Sequence, residues 1–582
     1  MKVPIDTLNS CFKEATIAAF PVLAEDALFQ VEITQSTQEK FGHYQFNSAM
    51  RLAKVLKLAP RQIAEKIMEQ VKAPTLIESM EIAGPGFINI TLTQRYINDF
   101  VKAILADKHL AIDLPETPQR VVIDFSSPNI AKELHVGHLR STIIGDCLAR
   151  LFEFLGHEVI RLNHIGDWGT SFGMLIAYLK NNEPQVLTGE KETDLPHLVN
   201  WYKASKQQFD NDEEFKKCSQ QEVATLQSGN PESIRAWKII CDISERAYRE
   251  IYSLLDVSLN DRGESFYNPM LPGVIQDLEA KKLISISDGA KCIFLEGFKN
   301  REGDPLPFMV QKSDGGYNYA TTDLAAMKQR VREEKADRII IITDAGQATH
   351  FQMLSQASEK VGYLDPNQVE FDHVTFGLVL GPDGKKFKTR SGDTEKLIDL
   401  IIQAIDRAEQ IIKERSPEMP EENRKSLAKA LGIGAIKYAD LSCHRTSDYT
   451  FSYDRMLRFE GNTAAYLMYS YVRIAGIKRR VGADIEEVKK RASVMLDHPS
   501  ELALGLHLSR FGEALQHVSD ELLPNRLTDY LYGLADKFNA FFRDCRVEGT
   551  PEQNSRLLLC EVVAETMKQG LHLLGVETVE RM

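Results

Sequence analysis

Hydrophobic and polar residues form three successive patterns between residues 121 and 162. Residues 121–125 form an almost continuous apolar run, which predicts a buried strand. From residue 139 to residue 155 apolar side chains recur at helical spacing, and Gly156 suits the position after a helix end. A short apolar stretch at 158–162 predicts the next strand. This order predicts a strand–helix–strand unit with parallel strands.

The same patterns continue along the chain. Turn residues followed by alternation predict a strand at 84–90, and a β-branched run predicts a central parallel strand at 338–343. A further strand-like run at 376–380 is expected in the same sheet. Helical spacing dominates the C-terminal part, with predicted helices at 394–412, 423–439, 463–481, 501–518, 527–542 and 554–574.

These elements predict a multidomain α/β protein. The predicted domains are an N-terminal α+β module at 1–115, a Rossmann-like parallel-sheet domain at 116–395 with a charge-rich helical insertion at about 190–300, a helical connecting region at 396–455, and an all-α bundle at 456–582.

Composition excludes several classes of protein. The 582 residues carry a formal net charge of −13, which argues against coating nucleic acid through bulk charge but not against an RNA partner bound by local basic faces. None of the eight cysteines forms a Cys-x-x-Cys pair, so we expect no zinc site and a reducing, cytoplasmic environment. No uncharged apolar stretch reaches the roughly 18 residues that a membrane span needs.

The turn between the first strand and the first helix carries His135, Gly137 and His138. A helix N-terminus offers free N–H groups and a positive dipole end to a phosphate, and imidazoles can donate hydrogen bonds to a reacting phosphorus centre. Gly137 has no side chain, so an adenine ring could lie against the backbone there. The alternative is that the two histidines only cap the helix or pack in the core.

A polar loop, 124–132, separates this turn from the strand. Loops at the carboxyl ends of parallel strands are where open α/β sheets bind their ligands, which favours the nucleotide site over the capping alternative. A second, basic loop at 381–392 follows the strand-like run at 376–380, and its cations could hold a polyphosphate. Read alone, the basic loop could equally be a solvated turn.

Residues 124–141 closely resemble the ATP signature of class I aminoacyl-tRNA synthetases, and more narrowly that of the arginyl-tRNA synthetases, with Ser-x-Asn-x-x-Lys just before His-x-Gly-His. The basic loop resembles the Lys-Met-Ser-Lys-Ser element of the class, with Lys386-Phe387-Lys388-Thr389-Arg390 in its place. Thr389 stands where the second lysine of that motif is expected, and Lys132 is our candidate for the missing cation. The resemblance extends from about residue 5 to residue 582 and is weak across the insertion.

The resemblance implies roles for individual residues. The catalytic residues would be His135, His138, Lys132, Lys386 and Lys388. ATP, accompanied by Mg²⁺, would bind to Asn129, His135, Gly137, His138 and Lys386. Arginine would bind to Asp124, Ser127, Asn129, His138, Tyr319, Asp323 and Gln347. The tRNA would contact Phe87, Asn89, Tyr466, Arg473 and Met582. No residue is expected to be a dedicated metal ligand.

The residues expected to bind the substrate arginine suit its side chain. A guanidinium is planar, always charged and rich in donors, so it pairs well with carboxylates such as Asp323, with Tyr319 packing against it or bonding to it. Alternatives stay open from the residues alone: Asp323 could cap a helix or form a surface ion pair, Tyr319 could pack in the core, and Gln347 could brace a turn. Asp124 is expected to reach the α-amino group of the substrate.

The predicted bundle places tyrosines near arginines, for example Tyr466 and Arg473, a combination that suits single-stranded RNA through stacking and phosphate contacts. Core tyrosines and solvated charges are the plainer alternative, and ordinary strand residues are the alternative for Phe87 and Asn89. We expect a monomeric arginyl-tRNA synthetase with L-arginine, ATP and tRNA(Arg) as partners. The competing hypotheses are a related nucleotidyltransferase with another substrate and a non-catalytic tRNA-binding protein.

Overall fold

The structure is a computed structural model, and it describes residues 2–25, 29–381, 383–385, 387 and 395–582. The chain divides into two units. One comprises Met1–Leu114, Phe459–His572 and Thr578–Met582, and the other comprises Pro115–Arg458 and Leu573–Glu577. None of the helices in the described ranges is long and apolar enough to cross a membrane.

The N-terminal part of the first unit packs helices on a four-stranded antiparallel sheet with the order β1-β2-β4-β3. Its elements are α1 (Pro4–Ala19), β1 (Ile33–Gln35), β2 (Tyr44–Phe46), α2 (Ala49–Leu56), α3 (Pro60–Gln70), β3 (Ile77–Ala83), β4 (Phe87–Leu92) and α4 (Gln94–Ala106). Pro4 and Pro60 stand in the first turn of their helices, where a missing N–H costs nothing. Thr93 caps α4 by accepting from the backbone N–H of Tyr96.

The second unit is built on a parallel sheet with the order β12-β11-β5-β6-β7. Its strands are β5 (Arg120–Asp124), β6 (Glu158–Asn163), β7 (Asn260–Asp261), β8 (Ser285–Ser287), β9 (Ala290–Lys299), β10 (Pro305–Gln311), β11 (Arg338–Asp344), β12 (Glu370–Phe376), β13 (Val379–Leu380) and β14 (Tyr449–Thr450). Its helices are α5 (Val136–Phe154), α6 (Thr170–Asn182), α7 (Pro184–Thr188), α8 (Leu195–Asn211), α9 (Glu213–Gln227), α10 (Pro231–Leu254), α11 (Leu271–Ala280), α12 (Tyr319–Arg332), α13 (Ala348–Val361), α14 (Leu397–Arg415), α15 (Glu421–Leu441) and α16 (Tyr453–Met456).

The strand order of this sheet reverses between β5 and β11, which are hydrogen-bonded neighbours. Such a switch point opens a crevice at the carboxyl ends of the strands. The loops that begin at Asp124 and Asp344 therefore leave the sheet side by side. The central strands are buried on both faces, as the apolar runs predict, with Val122, Ile339 and Ile341 in one core cluster.

Two parts of the second unit differ from the sequence-based expectation. The range 190–300 is not only a helical insertion, because it contains β7, an edge strand of the parallel sheet, and also β8 and β9, which join β10 in a separate antiparallel sheet. The run at 376–380 does not continue the main sheet. Gly377 follows the end of β12, and β13 pairs with β14 in a separate two-stranded sheet.

The C-terminal part of the first unit is a helical bundle of α17 (Ala464–Val481), α18 (Ile485–Arg491), α19 (Pro499–Ser509), α20 (Phe511–Glu521), α21 (Asn525–Asp544) and α22 (Gln553–Leu573). It belongs to the same unit as the N-terminal module. The buried Glu513 accepts hydrogen bonds from the Tyr44 hydroxyl and the Gln35 amide, both at 2.7 Å, and from the Ile5 N–H at 3.0 Å. The predicted fold class is confirmed: an α+β module, a parallel-sheet domain and an all-α bundle.

Candidate active site at the switch point

The loop that follows β5 holds three non-glycine residues in the left-handed region: Ser126 (φ 70°), Ser127 (φ 45°) and Ala131 (φ 57°). Each such residue is strained and persists only when its surroundings fix it. Ser127 is fixed from three sides. Its N–H donates to Asn163 Oδ1 at 2.9 Å, its hydroxyl donates to Asp124 Oδ1 at 2.8 Å, and the N–H of His164 donates to that hydroxyl at 3.2 Å.

The His-x-Gly-His turn caps α5 through a reciprocal pair of hydrogen bonds. His135 Nδ1 accepts from the Gly137 N–H at 3.0 Å, and His138 Nδ1 accepts from the His135 N–H at 3.1 Å. The capping role is therefore present in the structure. It does not compete with ligand binding, because an imidazole that accepts at Nδ1 carries its proton on Nε2 when neutral.

Burial, followed by the charges of His135 and Lys132, lowers the pKa of His138 from 6.5 to about 3. His138 is thus neutral at physiological pH and presents an Nε2–H donor. The two imidazole rings lie 4.1 Å apart between centroids. A Cβ on Gly137 would lie 2.9 Å from Cε1 of His135, so the packing of this ring requires glycine there, in addition to any contact with a base.

Residues that follow the basic segment in sequence are anchored to the His-x-Gly-His turn. Lys396 forms an antiparallel backbone bridge with His135, and the Leu397 N–H donates to the Leu134 carbonyl at 2.9 Å. The Lys396 ammonium also lies 2.6 Å from the carboxylate of Glu133. Lys386 and Lys388, both expected to contact phosphate, lie outside the described residues.

The chain that precedes the basic segment is anchored to α5 as well. The guanidinium of Arg140, one turn after His135, donates to the Gly377 carbonyl at 2.8 Å, just before β13. Arg140 is fully buried and pairs with the equally buried Asp440 of α15, with Nε 3.0 Å from Oδ2. Gly377 and Lys396, which flank the basic segment in sequence, are therefore both bonded to α5 or its N-cap.

Asp323 lies in the first turns of α12 and carries an exposed side-chain fraction of 20 %. Its Oδ2 is 2.6 Å from His350 Nε2, and its Oδ1 is 3.9 Å from His164 Nε2. Tyr319, on the same helix, is 61 % exposed, so it is not a core residue, and its ring stands 4.9 Å from that of His350. Gln347 follows β11 and donates to Asp344 at 3.3 Å.

The sequence predicts that Asp124 binds the α-amino group of the substrate, but in the structure both carboxylate oxygens of Asp124 already have partners. Its Oδ2 lies 2.5 Å from the guanidinium of Arg330, and its Oδ1 accepts from Ser127. The Asp124–Arg330 pair is buried, which holds the loop end of β5 and lowers the capacity of Asp124 for a direct bond to the substrate. The side chain of Asn129 is exposed, as is that of Lys132.

Sequence reasoning missed Glu264, which stands in the short 3₁₀-helix Glu264–Met270 after β7. Burial first, then the charges of Asp323 and Asp167, raises the pKa of its carboxyl from 4.5 to about 8. Within the described ranges its side chain forms neither a hydrogen bond nor an ion pair. The sequence gives little indication of its role, because Glu264 follows a two-residue strand that has no apolar run to predict it. No group of His, Cys, Asp and Glu side chains in the described part of the chain could hold a metal ion.

Of the residues expected to contact RNA, Asn89 is buried and accepts from the Gln45 amide at 2.8 Å, whereas Phe87 is half-buried at the start of β4. On α17, the Arg473 guanidinium lies between the rings of Tyr469 and Phe542, 5.0 and 5.1 Å from their centroids.

Tyr466 donates to Asp536 at 2.8 Å and accepts from the Asn539 amide at 2.7 Å. The tail that ends at Met582 is held by Glu580, which accepts from the Tyr471 hydroxyl at 3.0 Å and, through its carbonyl, from Arg479 at 2.9 Å. Tyr466, Arg473 and the tail thus all meet on or beside α17.

Comparison with known protein families matches three segments of this architecture. Residues 100–453 match the model of the class I tRNA synthetase (R) catalytic domain, 467–582 that of the DALR anticodon binding domain, and 6–92 that of the arginyl tRNA synthetase N terminal domain. The switch-point crevice, its His-x-Gly-His turn and the first of these matches define a class I aminoacyl-tRNA synthetase.

Full-length relatives narrow this class. The chain is 63 % identical to an arginine–tRNA ligase of Protochlamydia amoebophila over all of both chains, and 55 % identical to one of Chlamydia caviae over 99 % of both. The crystal structure of arginyl-tRNA synthetase from Plasmodium falciparum superposes with a TM-score of 0.87 at 34 % identity, covering all of both chains. The chain belongs to the arginyl-tRNA synthetase family.

Proposed function

We propose that the chain activates L-arginine with ATP and transfers it to the 3′ end of tRNA(Arg). The observation that carries the proposal is that residues on either side of 381–392 are bonded to α5 and its N-cap. Lys396 forms a backbone bridge with His135, and Gly377 accepts from Arg140. Asp323 lies 3.9 Å from His164, whose N–H donates to Ser127 in the loop before the two histidines. A triphosphate and a cationic amino acid fit that combination.

The triphosphate would lie at the N-terminus of α5, where the positive end of the helix dipole favours anions. The Nε2–H groups of His135 and His138 would donate to phosphate oxygens, and Lys132, Lys386 and Lys388 would supply positive charge. Gly137 and Asn129 would contact the nucleotide through the turn and the loop. Mg²⁺ would arrive with the phosphates of ATP and offset their charge.

The arginine side chain would enter beside Asp323, with Tyr319 and Gln347 at the mouth of the slot. Glu264 strengthens this assignment, because a half-buried carboxyl that forms no hydrogen bond or ion pair with the described residues, and that is affected by the charge of Asp323, is poised for a cation. Ser127, Asn129 and His138 would receive the α-amino and carboxylate groups. Since Asp124 already pairs with Arg330, we infer that Asp124 acts mainly by holding Ser127 in place.

Activation forms a bond between an oxygen of the arginine carboxylate and the α-phosphorus of ATP. The bond from that phosphorus to the β-bridging oxygen breaks, and pyrophosphate leaves. A ribose hydroxyl of the tRNA terminus then attacks the acyl carbon, AMP leaves with the electron pair of the broken bond, and the hydroxyl proton passes to AMP or solvent. Positioning of the reactants can contribute about 7–11 kcal/mol without a protein nucleophile.

The tRNA would contact the first unit through Phe87, Asn89, Tyr466, Arg473 and Met582. Exposed aromatic rings beside a guanidinium suit unstacked bases and their phosphates. Because Asn89 is buried against Gln45, it would act by supporting the surface around Phe87 unless the strand opens. We further propose that the protein is cytoplasmic and monomeric; light scattering of the purified chain tests the monomer, and cell fractionation tests the location.

Exchange of labelled pyrophosphate into ATP tests the proposal, with and without arginine and with and without tRNA. We expect exchange that depends on arginine and requires tRNA(Arg). Exchange that ignores arginine would indicate another nucleotidyltransferase, and no exchange with any amino acid would indicate a tRNA-binding protein without catalysis.

A further inference from the structure

Three hydroxyl groups on one face of α10 contact the strained loop that follows β5. Ser244, Tyr248 and Tyr252 stand four residues apart, so they share a face of the helix, and all three are buried. The contacts reach both left-handed parts of the loop. Ser244 Oγ accepts from the Ala131 N–H at 3.0 Å, and the Tyr252 hydroxyl lies 2.7 Å from Ser126 Oγ.

Tyr248 makes the central contact. Its hydroxyl lies 2.7 Å from the Asn129 carbonyl and 2.6 Å from the Lys132 carbonyl, so one proton is shared between two acceptors. These carbonyls belong to the residues on either side of Ile130 and left-handed Ala131. The phenol of Tyr248 thus binds the loop on both sides of a left-handed residue, a conformation that persists only when its surroundings fix it.

We propose that Tyr248 is a positioning residue for adenylate formation, which holds the backbone of Asn129–Lys132 so that the Lys132 ammonium stays beside His138. The inference rests on the proposed function, in which Lys132 meets the α-phosphate. Tyr248 itself contacts no reacting atom. It acts through the backbone of Lys132, and α10 thereby acquires a role in the chemistry of a loop more than 100 residues earlier in the chain.

The test is a double-mutant cycle in the full-length protein, with arginine-dependent pyrophosphate exchange as the assay. Tyr248→Phe keeps the ring and removes only the hydroxyl. We expect a fall in kcat of roughly tenfold, the size of one buried hydrogen bond. The KM for arginine should change less than kcat, since Asp323 and Glu264, which would hold the guanidinium, stand on other elements. In the background of Lys132→Ala, Tyr248→Phe should have no further effect on kcat, because the group that it positions is gone.

Tyr202→Phe is the matched control, since its hydroxyl lies in the same 190–300 range and has no hydrogen-bond partner within the described ranges. It should leave kcat unchanged, and both variants should melt within a few degrees of the parent. An unchanged kcat in Tyr248→Phe, or an effect that simply adds to that of Lys132→Ala, would overturn the inference while leaving the proposed function intact. A harmless Lys132→Ala would contradict the proposed role of Lys132 itself, and the inference would fail with it.

Discussion

Replacing Asp323 by asparagine removes one negative charge from the slot and almost nothing else. Asparagine keeps the shape of the side chain and can still bond to His350, which lies 2.6 Å away in the native protein. A guanidinium about 4 Å from the lost charge, at an effective dielectric constant of about 20, would lose about 4 kcal/mol. Since each 1.36 kcal/mol is a factor of ten, kcat/KM for arginine should fall about a thousandfold, within a range of about 10² to 10⁴.

The assay is tRNA-dependent pyrophosphate exchange over a range of arginine concentrations. Glu333→Gln is the control, because it removes a carboxylate from the exposed end of the same helix and should change kcat/KM less than about twofold. Citrulline, the neutral isostere of arginine, should be a very poor substrate of the native enzyme and should lose its disadvantage in Asp323→Asn. A loss below about tenfold for arginine would remove Asp323 from the slot.

The remaining predictions concern the protonation of Glu264, the binding of tRNA by Arg473 and the buried Arg140–Asp440 ion pair. Arginine binding below pH 8 should release a proton from Glu264, whose pKa is raised to about 8, so affinity should rise with pH up to that value; calorimetry in two buffers should detect the proton in the native protein and not in Glu264→Gln. The folded protein also holds this proton between pH 4.5 and 8 where the unfolded chain has lost it, so this group makes stability fall as pH rises, a slope that Glu264→Gln should remove. Arg473→Gln should raise the KM for tRNA about 5- to 100-fold with no change in the KM for arginine; equal changes in both would contradict a role in RNA binding. Asp440→Asn leaves the buried Arg140 without its charged partner and should lower the free energy of unfolding in urea by about 3–5 kcal/mol. Asp454→Asn, in the exposed pair with Arg407, should lower it by at most about 1 kcal/mol, and equal losses would contradict a buried Arg140–Asp440 pair.

Periodicity located the central strands because burial on both faces leaves no alternative to apolar side chains. β11 (Arg338–Asp344) matches the predicted run at 338–343 within one residue. The sequence does not predict β7, because its two residues are polar and its pairing with β6 is decided by the tertiary fold. The predicted helix at 501–518 is in fact two helices, which meet at Arg510, where the guanidinium donates to the His43 carbonyl at 2.7 Å.

The residues of the candidate site also differ in whether local sequence or tertiary packing brings them together. His135, His138 and the polar loop lie within one short segment, so residue order alone brought them together. Glu264 could not be found in that way, because the raised pKa of its carboxyl arises from burial and from the charge of Asp323, which lies on another element of the fold.

Tyr248 shows most clearly what a local sequence pattern cannot predict. Its position on α10 predicts only that one face is buried, and any tyrosine on that face would satisfy the pattern. That its hydroxyl contacts two carbonyls of the loop depends on how α10 packs against that loop, a geometry with no local signature in the sequence. The residues that we propose to contact ATP lie in short sequence motifs, whereas residues that hold the loop in its strained conformation lie on distant elements. Substitutions that spare every motif can therefore still slow the chemistry, and they should do so through kcat before they alter the binding of arginine.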